Sequence, residues 1–195
     1  MRTLAIFTLG MLMNGAAIAG PFGWKIGQSL QDLGLTPSDQ TKSTGVYQVT
    51  TAPAGSNLID FYSLTVGPTQ GLCKIGAAGN DVQSSSYGTE LRSAYNRFTD
   101  IFDKKFGGGK EYDFLYAGSI WDDRDDFMMG LLKKERTLTK FYSADEGSVM
   151  TDGLRTVMVD AKGLSTDKGY IAISYEFSNV DQCIEELEAM SASVF

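Results

Sequence analysis

The chain contains no histidine. That absence excludes a Ser-His-Asp or Cys-His nucleophile, a histidine-liganded zinc and imidazole acid–base work near neutral pH. Any catalysis would fall to carboxylates, lysine, tyrosine or serine alone. Cysteine is nearly as scarce, with only Cys73 and Cys183 present, and two sulfurs without histidine do not complete a usual zinc shell. A basic excess is also missing: 17 Lys and Arg stand against 24 Asp and Glu. A domain of that balance, without a basic stripe, is repelled by nucleic acid and by anionic membrane surfaces. Beyond residue 19 no run is long and apolar enough to span a bilayer, which takes about 20 residues.

What is present begins with the three parts of a secretory signal. Arg2 supplies the positive start, Leu4 to Met13 form an apolar stretch, and Ala17 and Ala19 make an A-x-A exit before Gly20. Residues 1–19 are therefore expected to be a signal peptide cleaved between Ala19 and Gly20, with residues 20–195 as one exported α+β domain. No cysteine follows the cleavage point, which argues against a lipid anchor. The short single-arginine signal suits a Gram-negative periplasm, with secretion beyond it as the alternative. Cleavage removes one base and no acid, so the net charge of −7 becomes −8. The hydrophobic fraction of 43% is enough to fill a core. In an oxidising compartment the two cysteines read as one disulfide, Cys73–Cys183, worth about 4–5 kcal/mol in the chain-entropy model. Two buried free thiols are the alternative.

Hydrophobic periodicity sets out the elements. A short helix is expected at Ser29 to Leu33, stopped by Gly34. Strands are expected at 46–51, 58–66 and 72–78, the last two joined by the Gly67–Gly71 turn. The clearest signal is a helix over 87–106. Its stripe is Leu91, Ala94, Tyr95, Phe98, Ile101, Phe102 and Phe106, its cap is Ser85 or Ser86, and Gly107 to Gly109 end it. A second helix is predicted over 123–136, followed by strands at 138–142, 154–161 and 170–177. A last helix, capped by Asn179 with Gln182, places Val180, Cys183, Ile184 and Leu187 on one face. The fold class is α+β, antiparallel sheet covered by amphipathic helices. Residues 22–106 and 119–190 read alike as α-β-β-β-α units, so two pseudo-repeats stand beside a single helix-backed sheet as the two architectures.

The segments FGWKIG, GLCKI, SYGTEL, GSIW and KGYIAISYEF, with the D-x-C of Asp181 to Cys183, together resemble a widespread set of small exported bacterial proteins with no assigned activity. The resemblance covers most of the mature chain and brings no catalytic residue with it. The opening helix and β-meander are also similar to small outer-membrane-assembly lipoproteins and to the β-lactamase-inhibitor protein fold, an architectural likeness that implies protein binding.

Four local patterns invite chemistry. Asp122, Asp123, Asp125 and Asp126 suggest calcium, but lack D-x-D-x-D-G spacing and suit a solvated helix start. Gly107-Gly108-Gly109-Lys110 fails the phosphate-loop pattern, with Lys104 in place of the first glycine and Glu111 in place of Ser/Thr. Ser165 to Lys168 matches S-x-x-K without its partner motifs and sits in an expected turn. Glu185, Glu186 and Glu188 could pair as glycosidase carboxylates, yet belong to the outer side of a helix. Trp24 and Trp121 could line a groove, core packing being their commoner fate. No catalytic residue, cofactor or metal ligand is assigned. The expected function is non-catalytic: a binding, accessory or inhibitor-type protein acting on another envelope protein. A carboxylate-based hydrolase and a small-ligand carrier are the alternatives.

Overall fold

A computed structural model describes residues 20–193; residues 1–19, expected to be a signal peptide, lie outside them. The expected α+β class is what the chain forms. Eight strands make one antiparallel sheet, in the order β1-β2-β3-β8-β7-β6-β5, with the two-residue β4 paired to β8. The strands are β1 (Val46–Val49), β2 (Ile59–Gly67), β3 (Gly71–Gly79), β4 (Val82–Gln83), β5 (Lys110–Leu115), β6 (Arg136–Ser143), β7 (Leu154–Gly163) and β8 (Lys168–Phe177). The helices are α1 (Thr89–Phe106), α2 (Phe127–Leu132) and α3 (Val180–Ala192).

The sheet is two antiparallel meanders, β1-β2-β3 and β5-β6-β7-β8, fused where β3 runs against β8 from Lys74↔Glu176 to Ala78↔Ala172. Two separate α-β-β-β-α units are not what forms. Ser29 to Leu33 makes one hydrogen-bonded turn, Leu33 N–H to Ser29 carbonyl, instead of a helix. A segment so short cannot repay the cost of helix nucleation. Gly34, at φ +69, ends the turn. The second half meanwhile gains β5, for which the sequence carries no pattern. Its burial pattern is mostly exposed, so no alternation marks it.

Strict alternation along β8, intermediate then buried over ten residues, states the layering: one face packed, the other partly open. Tyr142, Val157, Tyr175 and Ile75 face α1, whose Phe102 ring lies 5.9 Å from Tyr142 and 6.0 Å from Tyr175. Toward β2 the same layer is closed by the N-terminal segment, with Phe22 4.8 Å and Trp24 5.3 Å from the Tyr62 ring. The stripe expected on α1 holds for Leu91, Ala94, Tyr95, Phe102 and Phe106, while Ile101 is half exposed and Thr99 is buried instead.

Three local expectations are corrected. The N-cap of α1 is Gly88, not Ser85 or Ser86. A Cβ at Gly88 would overlap the Phe127 ring, so only glycine lets α2 seat against the start of α1. The predicted helix over 123–136 shrinks to a 3-10 turn, Arg124–Asp126, and one and a half turns of α2. It stops because Lys134 turns left-handed and the chain enters β6. Asn179 caps α3 by position only. Its Nδ2 instead donates to the Gln70 and Leu72 carbonyls, tying α3 to the β2–β3 hairpin.

Candidate functional site

The cysteines are joined. Cys73–Cys183 spans 110 residues with a Cα–Cα distance of 6.3 Å. A bulge in β3 opposite Val66 sets Cys73 apart, and with Cys183 and Leu187 it forms a small buried cluster separate from the main core. Beside it Glu186 accepts the N–H groups of Thr69 and Gln70. Partial burial pulls the Glu186 pKa upward, but those N–H groups outweigh it and hold the carboxylate below its ordinary range. The oxidised pair is compatible with export, and among the described residues no helix is long and apolar enough to cross a membrane.

The other singled-out residues do not converge. Trp24 is buried in the core and Trp121 is partly buried away from it. Asp122, Asp123 and Asp125 stand exposed around the short 3-10 turn. Among the described residues no group of three or more acids, cysteines or histidines is close enough to hold a metal. Gly107, at φ +82, ends α1. Ser165 donates its hydroxyl to Asp167 within the β7–β8 turn, and Lys168 pairs with Asp81 at 3.4 Å. Glu185 and Glu188 are exposed on α3. The disulfide fits the inward position of Cys183, while Ile184 is 38% exposed.

Two features that the sequence did not announce come from the sheet. The first is its second face. Registers place Phe61, Ala78, Ala172, Tyr170, Met158, Phe141, Tyr112 and Phe114 on the side opposite α1. Gly76, Ala172 and Ser174 leave a shallow trough between Phe61 and Tyr170. At the β5 edge Phe114 (41% exposed) packs edge-on against Tyr116, and Ile120 nearby is 74% exposed. The charges on this face neutralise each other in pairs, Lys74 with Glu176 and Lys162 with Asp160.

The second feature is a cleft of about 450 Å³. The β6–β7 ladder begins at Thr139↔Asp160, so Arg136 to Leu138 and Ala161 to Gly163 part from each other, with the end of α2 beside the gap. Asp160 sits at the apex, 7% exposed, holding the Thr139 hydroxyl at 2.8 Å and paired with Lys162. Tyr116, Tyr170, Leu132 and Leu164 supply apolar wall, and Lys134 and Arg136 the remaining charge. Behind it Asp113 takes both Arg92 and Arg136, at 2.9 and 2.7 Å, and the two guanidinium groups flank the Phe127 ring at 4.0 and 4.9 Å.

In class this is an α+β protein built on one eight-stranded antiparallel sheet with one face layered and one open. No family model, curated protein or solved structure matches the chain.

Proposed function

We propose that this is an exported, periplasmic, non-catalytic recognition protein that docks another envelope protein on the open face of its sheet. The observation that supports the reading is the row of part-exposed aromatics, Phe61, Tyr170, Phe141, Tyr112 and Phe114, which runs across the sheet to its β5 edge without a helix over it. A sheet face with several part-exposed aromatics and no covering helix is a surface suited to binding. Aromatic side chains give large contact area at low entropic cost. Because the ionic groups on this face are paired, the partner is recognised chiefly by apolar complementarity. The acidic remainder of the surface steers a partner with a basic rim.

The test is crosslinking of the tagged protein in periplasm, with the double variant Phe61→Asp, Phe114→Asp alongside it. The expected result is one stoichiometric partner held by the parent and lost by the variant, whose melting temperature stays within a few degrees of the parent's. Capture of the same partner by both forms, or of none by either, would overturn the assignment of this face.

A further inference from the structure

The cleft between the parted ends of β6 and β7 opens on the same face as the proposed docking surface and shares Tyr170 with it, but its size suits a small molecule. We propose that it binds a small amphipathic anion, a single carboxylate or phosphate group on an apolar body. Two observations converge on it.

The first is charge. The cleft is lined by Lys134, Arg136 and Lys162 against one carboxylate, Asp160, in a chain whose formal net charge is −7. Lys162 is neutralised by Asp160 and Arg136 shares Asp113 with Arg92. Lys134 makes no ion pair among the described residues. Arg136 lines the cleft but turns its guanidinium away from it, toward Asp113 and the Phe127 ring.

The second is backbone. Helix α2 ends in a Schellman arrangement, with Glu135 N–H donating to the Gly130 carbonyl at 2.9 Å and Lys134 N–H to the Leu131 carbonyl at 3.0 Å. The residue at the left-handed position of that motif is ordinarily glycine. Here it is Lys134, at φ +60, one of three non-glycine residues at positive φ among those described, and it lines the cleft. Strain retained at one residue is a pointer to function. The apolar wall of Leu131, Leu132, Ala161 and Leu164, with Tyr116 and Tyr170, takes the body of the ligand while Lys134 takes its head.

Hexanoate, hexyl phosphate, hexanol and hexylammonium are titrated into isotopically labelled protein at pH 7.5, reading amide shifts. Saturable shifts at residues 131–136 and 160–164 are expected with hexanoate, hexyl phosphate or both, and the stronger of the two names the head group. Hexanol and hexylammonium should leave those residues unmoved. Lys134→Gln should weaken anion binding about fivefold, the loss of one partly screened ion pair. Lys134→Gly should weaken it equally while raising the unfolding midpoint, a split that a purely structural lysine would not produce. The proposal falls if neither anion saturates by 20 mM (about the weakest useful affinity), if hexanol shifts the same residues as strongly, or if both Lys134 variants bind like the parent.

Discussion

At Gly88 the backbone lies at φ +72 and the Phe127 ring fills the space a side chain would need. The two constraints have one source. Residue 88 must turn the chain into α1 while leaving room for the first side chain of α2, whose ring in turn carries Arg92 and Arg136 on its flanks. Gly88→Ala should therefore cost more than backbone strain alone, about 2–4 kcal/mol, read as a lowered urea midpoint at unchanged slope. Lys134 is the converse case. It is the wrong residue for its φ by stability alone, and Lys134→Gly should gain about 0.5–1 kcal/mol. Removing a glycine at 88 and introducing one at 134 thus have opposite signs, because both positions hold a left-handed backbone and only the first has the residue that adopts it freely.

Among the elements, α3 depends most on a single tie. It follows β8 directly and lies against the far end of the β2–β3 hairpin through Cys183, Leu187, Glu186 and Asn179. Its buried apolar surface is small, Val180, Cys183 and Leu187, and the main core does not include them. The disulfide and four hydrogen bonds to the hairpin backbone supply what packing does not. Replacing both cysteines with alanine should lower stability by about 2–4 kcal/mol, measured by thermal or urea melts of the oxidised parent and the variant. Amide exchange should quicken in α3 before it does in α1, because α1 buries four large side chains, Leu91, Tyr95, Phe102 and Phe106, against the main core.

For the whole molecule the missing histidine has a thermodynamic consequence: no side chain titrates with an ordinary pKa between about 5 and 8. On the acid side Asp32, Asp39, Glu90 and Asp167 are all depressed, chiefly by hydrogen bonds from Ser29, Thr36, Ser85 and Ser165 respectively. A depressed carboxylate contributes stability that is complete above its unfolded pKa and lost as pH falls through the folded one. On the alkaline side burial raises Tyr95, Tyr142 and Tyr175 well above the ordinary 10.0, with Glu111 and Asp103 adding to the first two. For a neutral acid the sign reverses: the contribution is complete below the unfolded pKa and lost as pH rises past it. Melting temperature should be level from about pH 5 to about pH 9 and fall on both sides. A slope centred near pH 6.5 would contradict this account.

Much of this was legible along the chain. The α1 stripe, the β2–β3 and β7–β8 hairpins and the inward Cys183 follow from periodicity and turn residues, because each depends on neighbours within a few positions. What the sequence could not show depends on residues brought together from afar. Exposed β5 carries no alternation, α2 is cut short by a left-handed lysine that no propensity favours, and Gly88 is required by Phe127, which lies 39 positions on. The open face and the cleft belong to that second group. Phe61, Phe141 and Tyr170 become one surface only through strand register, and Asp160 reaches the head of a cleft only because β6 and β7 stop pairing there. Local order was determined by side-chain pattern, but the surfaces available for binding were decided by which strands became neighbours.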